Sequence, residues 1–329
     1  MLKELKNNVR SLNVLSASLL VLLSSFSMAG DYDNHPKLEP FIAEMVKEHN
    51  YDEKFLRETL SKAERKDSIL KAIARPAEKT KPWHEYRDIF LTKKRIKAGK
   101  AFLKEHSDTF DVVEKKYGVP REIIASIIGV ETFYGRITGS YRVLDALATL
   151  GFDYPKRSLF YRELKNYFLM VRDNDLDVFA IKGSYAGAMG LGQFIPSSYI
   201  SYAVDYDGDG KKDLWSNVDD AIASVAYYFK RYGWKTGQPV GQEVTLSNSD
   251  ADKYANKTLS LKANLTEWKK RGVNPPKGLP EQNAALFRYQ AEDKTEYWLA
   301  FKNFYVITRY NRSRLYARTV YEFSEILKD

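Results

Sequence analysis

The chain has 329 residues, a formal net charge of +9, 14% aromatic residues and no cysteine. The missing thiols exclude disulfides, a cysteine nucleophile and cysteine-ligated zinc, and they leave no attachment point for a lipobox-type lipid anchor. The length allows two or three compact units at roughly 100–200 residues each.

Residues 1–29 read as a cleavable secretory signal. Lys3, Lys6 and Arg10 form a basic start, Leu12 to Phe26 is apolar and serine-rich, and Ser27-Met28-Ala29 offers small residues for cleavage. The apolar run falls short of the ~20 residues that span a bilayer. A soluble periplasmic protein is therefore expected, with an uncleaved anchor as the alternative. Loss of the segment's three bases and one acid lowers the net charge from +9 to +7. A basic exported protein meets an anionic membrane surface or wall polymer; nucleic acid is not expected, because the lysines are scattered rather than gathered into a stripe.

Residues 30–106 read as an N-terminal helical domain, with Phe41, Met45 and Val46, then Phe55, Leu56 and Leu60, at helical spacing. Pro76 and Pro82 bracket a break, after which Trp83 and Tyr86 either fill a core or border a cleft. A core unit over 107–236 follows. It starts with a helix from Phe110 to Tyr117 and continues into Val119–Phe133, where Ile123, Ile124, Ile127 and Ile128 line one apolar face. Glu131 continues that face in the last turn before Gly135, a natural helix stop. Desolvation and the negative end of the helix dipole favour the protonated form of such an acid, which suits a general acid. The competing reading turns Glu131 to solvent or pairs it with Arg136 or Arg142.

Further helices are expected over Arg142–Leu150 and Ser158–Val171, with a turn at Phe152–Pro155. The run from Lys182 to Tyr199 holds four glycines in ten residues (Gly183, Gly187, Gly190, Gly192), permitting close backbone approach, and two polar side chains, Ser184 and Gln193. Asp205, Asp207 and Asp209 alternate, with Gly210 at the sixth position, as at the start of an EF-hand calcium loop. The twelfth position is Ser216 instead of glutamate, so Asp219 or Asp220 is expected to close a longer loop, with Lys211 at the seventh position. A helix over Ala221–Tyr232 precedes a small strand-rich insert, 237–302, in which Glu243–Leu246 and Thr258–Leu261 read as strands. Residues 303–329 return to the core and end in a helix that Asn311 or Ser313 caps.

Taken together, these blocks resemble the membrane-bound lytic transglycosylase B family, which cleaves bacterial peptidoglycan on a lysozyme-like core. The matching residues are Gly129-Val-Glu-Thr132, Leu144–Leu150, Ala186–Gly190 with Gln193-Phe194 and Pro196–Tyr199, the aspartate loop, and Asn303-Phe-Tyr with Thr308–Asn311. The resemblance implies a mostly helical α+β fold, Glu131 as the lone catalytic acid/base, and a glycan cleft lined by Tyr86, Ser184, Gln193, Tyr228, Tyr310, Asn311 and Tyr316. It also implies a bound Ca2+ in the long aspartate loop and a basic contact to substrate carboxylates at Arg157, although Lys156 stands where a second arginine is expected. The implied partners are peptidoglycan glycan strands and cell-wall synthesis or remodelling proteins, met by a monomer. A single acid requires the substrate to supply the second group, through its acetamido oxygen and C6 hydroxyl; Asp145, the nearest rival, is expected to cap or hydrogen-bond. A hydrolytic muramidase or a non-catalytic wall-binding scaffold are the alternatives.

Overall fold

The computed structural model describes residues 30–74, 81–154 and 158–328. Residues 1–29, read in the sequence as a signal, and Pro76, Pro155 and Arg157 lie outside them. The helices are α1 (Leu38–His49), α2 (Glu53–Leu60), α3 (Asp67–Ile73), α4 (Trp83–Asp88), α5 (Lys93–Glu105), α6 (Ser107–Tyr117), α7 (Arg121–Thr132), α8 (Val143–Asp153), α9 (Leu159–Asp173), α10 (Pro196–Tyr202), α11 (Val218–Arg231), α12 (Leu265–Lys270), α13 (Lys302–Tyr310) and α14 (Arg314–Lys328). The strands are β1 (Tyr141–Arg142), β2 (Lys182–Gly183), β3 (Gly241–Leu246), β4 (Ala263–Asn264), β5 (Val273–Asn274), β6 (Asn283–Gln290) and β7 (Thr295–Ala300). None of these helices is long and apolar enough to cross a membrane.

Helix α7 is the buried axle of the fold. Ile123, Ile124, Ile127 and Ile128 are almost wholly removed from solvent, each worth roughly 1.5–3 kcal/mol of hydrophobic stabilisation. Around them pack α5, α6, α11 and α14. Gly129 is required by that closeness: a Cβ there would stand 2.5 Å from the Tyr134 hydroxyl and 2.8 Å from the Phe323 ring. The helix also ends before the glycine that marks its stop in the sequence. Phe133 and Tyr134 already have φ of 51° and 57°, and their N–H groups return to the carbonyls of Gly129 and Ile128. Arg95 and Arg136 lie over the Phe133 ring at 4.8 and 4.7 Å, contacts that hold this left-handed turn without glycine.

Helix α8 runs on to Asp153, through half of the turn expected at Phe152–Pro155. Helix α9 packs on α8 and α10. Its buried Glu163 accepts the Ser197 N–H at 2.9 Å, and burial raises its pKa, partly offset by the Ser197 backbone and side chain. The folded protein therefore holds this proton more tightly than the unfolded chain, so stability falls as pH rises above the ordinary glutamate value of 4.5. Glu163→Gln is expected to match the wild-type Tm near about pH 4 and exceed it at about pH 7, as thermal melts at the two pH values would register.

The small sheet is antiparallel in the order β4-β6-β7-β3-β5. Its longest strand, β6, lies beyond the two segments that read as strands in the sequence. Alternation along β6 divides its side chains: Ala284 and Leu286 join the sheet's own apolar cluster with Trp268, Leu299 and Phe301, whereas Ala285, Phe287 and Tyr289 join the main core. Glu243–Leu246 falls within β3, but Thr258–Leu261 forms no strand. Asn256, at φ 59°, turns the chain there, and Leu259 and Leu261 drop onto the main core instead of pairing. Arg318 of α14 ties the parts together: its guanidinium lies 4.4–4.5 Å from the Trp83, Tyr289 and Trp298 rings and bonds Glu296 and Glu322.

Candidate active site

A cleft of about 940 Å³ opens where α7, the β2–α10 segment, the α13–α14 junction and the sheet meet. Glu131, Ser184, Gln193, Tyr310 and Asn311 line it, with Phe160 and Phe287 as apolar walls. Glu131 is half-buried in the last turn of α7. The hydroxyl of Tyr316, one turn into α14, donates to Glu131 Oε1 at 2.6 Å. Burial and the Glu131 charge raise the Tyr316 pKa well above its ordinary value, so this hydroxyl remains a donor.

The two arginines near Glu131 in the sequence make contacts of their own. Arg142 holds Asp145 at 2.6 and 3.0 Å, Asp145 also accepts the Glu64 N–H at 2.9 Å, and Arg136 covers Phe133. Asp145 is thus a buried structural acid, as its place among Leu and Ala suggests.

Ser184 is set by the short β1–β2 ribbon, where Tyr141 pairs with Gly183. Its Oγ accepts N–H groups from Ala186 and Ala188 at 3.3 and 3.1 Å, which leaves its O–H to donate. Gln193 has φ 51°, and its amide nitrogen donates to the carbonyls of Thr138 and Gly190 at 3.1 and 3.0 Å. The glycine run approaches protein rather than an open space. At Gly192 a Cβ would sit 2.9 Å from the Tyr310 hydroxyl, which bonds the Gly192 carbonyl.

Three aromatics expected on the cleft wall lie behind it. Tyr228 is buried, stacks edge-on to Tyr310 at 4.8 Å and donates to the Arg309 carbonyl at 2.6 Å. Tyr86 is buried on α4, with its ring 5.4 Å from Phe90, and Tyr316 reaches Glu131 from beneath. Position in the sequence gives no depth, so wall and backing look alike there. Ser313 caps α14 by accepting the Tyr316 N–H at 3.2 Å, which frees Asn311 for the cleft. Residues missed in the sequence include Thr132, whose hydroxyl ties α7 to the Leu191 carbonyl at 2.9 Å, and the cations Lys257, Arg312 and Arg314. For the two arginines the available signal was the Asn311-Arg-Ser-Arg314 run, which leads into α14.

On the far side of α10, single side-chain oxygens of Asp205, Asp207 and Asp209 all lie within 4.8 Å of one another. They turn inward by accepting N–H groups of Gly208, Gly210, Asp209 and Lys211. Asp219 and Asp220 fall outside this cluster. Asp219 accepts the Thr109 hydroxyl at 2.7 Å, and Asp220 is buried, taking the N–H groups of Tyr206 and Asp213 at 2.8 Å. Burial, then repulsion from Asp207 and Asp205, raises the Asp220 pKa against those two N–H bonds. Asp219 thus bonds Thr109 through one oxygen, and Asp220 holds the loop backbone.

A family model described as the transglycosylase SLT domain matches residues 33–325. This chain belongs to that family. Among transglycosylase SLT proteins it is 42% identical, over 91% of this chain and 84% of the relative, to the membrane-bound lytic murein transglycosylase B of Escherichia coli strain K12. The catenated lytic transglycosylase SltB1 of Pseudomonas aeruginosa is 46% identical, with a TM-score of 0.87 over 91% of this chain and 99% of that one. The Escherichia coli lytic transglycosylase Slt35 in complex with calcium is 40% identical, with a TM-score of 0.83 over 92% and 95% of the two chains. Pseudomonas aeruginosa SltB3 in complex with NAG-NAM-pentapeptide is 30% identical, with a TM-score of 0.78 over 88% and 78%. The protein is therefore an enzyme of the lytic transglycosylase kind, with a mostly helical α+β, lysozyme-like fold.

Proposed function

We propose that this protein is a periplasmic lytic transglycosylase that cleaves the β-1,4 bond between N-acetylmuramic acid and N-acetylglucosamine in peptidoglycan and leaves 1,6-anhydro ends. The observation that carries the reading is that Glu131 is the one acid among the described residues lining the cleft. Paired-carboxylate glycosidases need a second acid beside the sugar. With one, the same group must act twice.

Protonated Glu131 donates to the glycosidic oxygen as the C1–O bond breaks, releasing the 4-hydroxyl of N-acetylglucosamine. The substrate's acetamido oxygen shields the developing positive charge at C1, and the Ser184 O–H orients that group. The Glu131 carboxylate then takes the proton of the C6 hydroxyl, whose oxygen bonds C1 and closes the anhydro ring. No water is consumed, and Glu131 regains its proton. Gln193 Oε1 and Asn311 are left to bond sugar hydroxyls, and Tyr316 holds the carboxylate in place. Mass spectrometry of sugars released from purified peptidoglycan tests this: products lighter by one water than hydrolytic ones are expected, and reducing ends instead would identify a muramidase.

The aspartate loop suits Ca2+, because three carboxylates offer the hard oxygen donors that ion prefers. Asp205, Asp207 and Asp209 would hold it, with the Lys211 carbonyl as the neutral ligand at the seventh position, and the ion would neutralise the crowded acids. Calcium at a hundredfold excess over its Kd is expected to add about 2.7 kcal/mol of stability, read as a rise in Tm that Asp207→Asn abolishes.

A further inference from the structure

Beside the cleft lies a second cavity, of about 360 Å³, lined by Asn256, Arg288, Gln290, Thr295, Tyr297 and Arg314. Two arginines line it, and no acidic residue does so among the described residues. Asn256 and Arg314 also line the main cleft, so the two spaces meet at this pair.

The sheet builds the cavity. Arg288 stands opposite Tyr297, and Gln290 opposite Thr295, so these four side chains share one face at the end of the β6–β7 pair. Asn256 is locked across Arg288 by two bonds: its Oδ1 accepts the Arg288 N–H at 3.0 Å, and its Nδ2 donates to the Arg288 carbonyl at 3.2 Å. Asp252 accepts from Arg288 Nη1 at 2.5 Å and from the Tyr297 hydroxyl at 2.9 Å, which fixes both side chains.

Arg314 is different. It opens α14, no carboxylate pairs with it among the described residues, and its Nε is buried without a hydrogen-bond partner. A buried donor on a charged group is costly to leave unmet, at about 1–3 kcal/mol. Arg314 lines both the cleft and the side cavity, so an anion arriving from the cleft would meet its guanidinium. Guanidinium groups recognise carboxylates through paired N–H bonds, and Gln290, Thr295 and Asn256 offer the amide and hydroxyl groups that suit a peptide backbone beside the anion.

We propose that this side cavity seats a carboxylate of the peptide stem carried by the glycan strand whose sugars occupy the cleft. The proposal rests on the transglycosylase reading. Lys257 and Arg312, which also line the cleft, draw the anionic strand toward the junction.

The test is equilibrium binding by the full chain carrying Glu131→Gln, so that cleavage does not intervene. Three probes are used: soluble glycan strands with peptide stems, the same strands with stems removed by an amidase, and strands whose stem carboxylates are amidated. Stem-bearing strands should bind about tenfold tighter than either of the others, in line with one charge-assisted pair. Adding Arg314→Gln should reduce that preference to less than about twofold, and Arg314→Lys should restore part of it. Equal affinity for all three probes would overturn the site while leaving the transglycosylase reading intact. A loss shared equally by all three in Arg314→Gln would also overturn it, since the arginine would then serve the sugars or the fold. Failure to bind any strand would overturn both readings.

Discussion

Glu131→Gln is expected to turn over purified peptidoglycan about 10³–10⁴-fold more slowly than the wild type, the upper part of the range for general acid–base catalysis. The upper part applies because one carboxyl is asked to give a proton to the leaving oxygen and then take one from the C6 hydroxyl. Glutamine keeps the shape and can still accept the Tyr316 hydroxyl bond, so the melting temperature should move little. It can perform neither proton transfer. The measurement is release of soluble fragments with time, together with a thermal melt of the same preparation. Wild-type turnover by the Gln variant would send the search for the acid elsewhere.

Tyr316→Phe probes the group that holds that carboxyl. The substitution removes a single oxygen, one that donates to Glu131 Oε1 at 2.6 Å. Hydrogen bonds to charged groups are worth ≈ 1.5–3 kcal/mol, which converts to about 10–100-fold in rate. Because Tyr316 lies beneath the cleft wall, the loss should fall on kcat, with KM within about threefold of wild type. A rise in KM at constant kcat would instead place the phenol against the sugar.

Helix α7 was legible because its signal is local. Four isoleucines at three- and four-residue spacing commit one face of α7 to the core, and Glu131 follows on that face. Asp145 was legible for the same reason. What the sequence concealed was of two kinds. Where a helix ends depends on what rewards the turn: Phe133 takes a left-handed conformation because two arginines cover its ring, and neither is evident from the spacing around Gly135. Depth was the other. Tyr86, Tyr228 and Tyr310 are the same residue type in aromatic-rich segments, yet of these only Tyr310 lines the cleft, because Tyr228 packs against the Tyr310 ring and Tyr86 is buried on α4. The late aspartates show the same limit: Asp219 bonds Thr109, a residue 110 positions earlier that no local pattern connects with it.

The bond from α14 to α7 has a consequence for biosynthesis. Glu131 is made 185 residues before the tyrosine that completes its setting. The helix α7 and its acid both wait for α14, which packs on α7 and carries Tyr316. Contacts this distant in sequence form late. The last helix therefore completes both the packing of α7 and the setting of its acid, so a chain that stops before α14 lacks the assembled site.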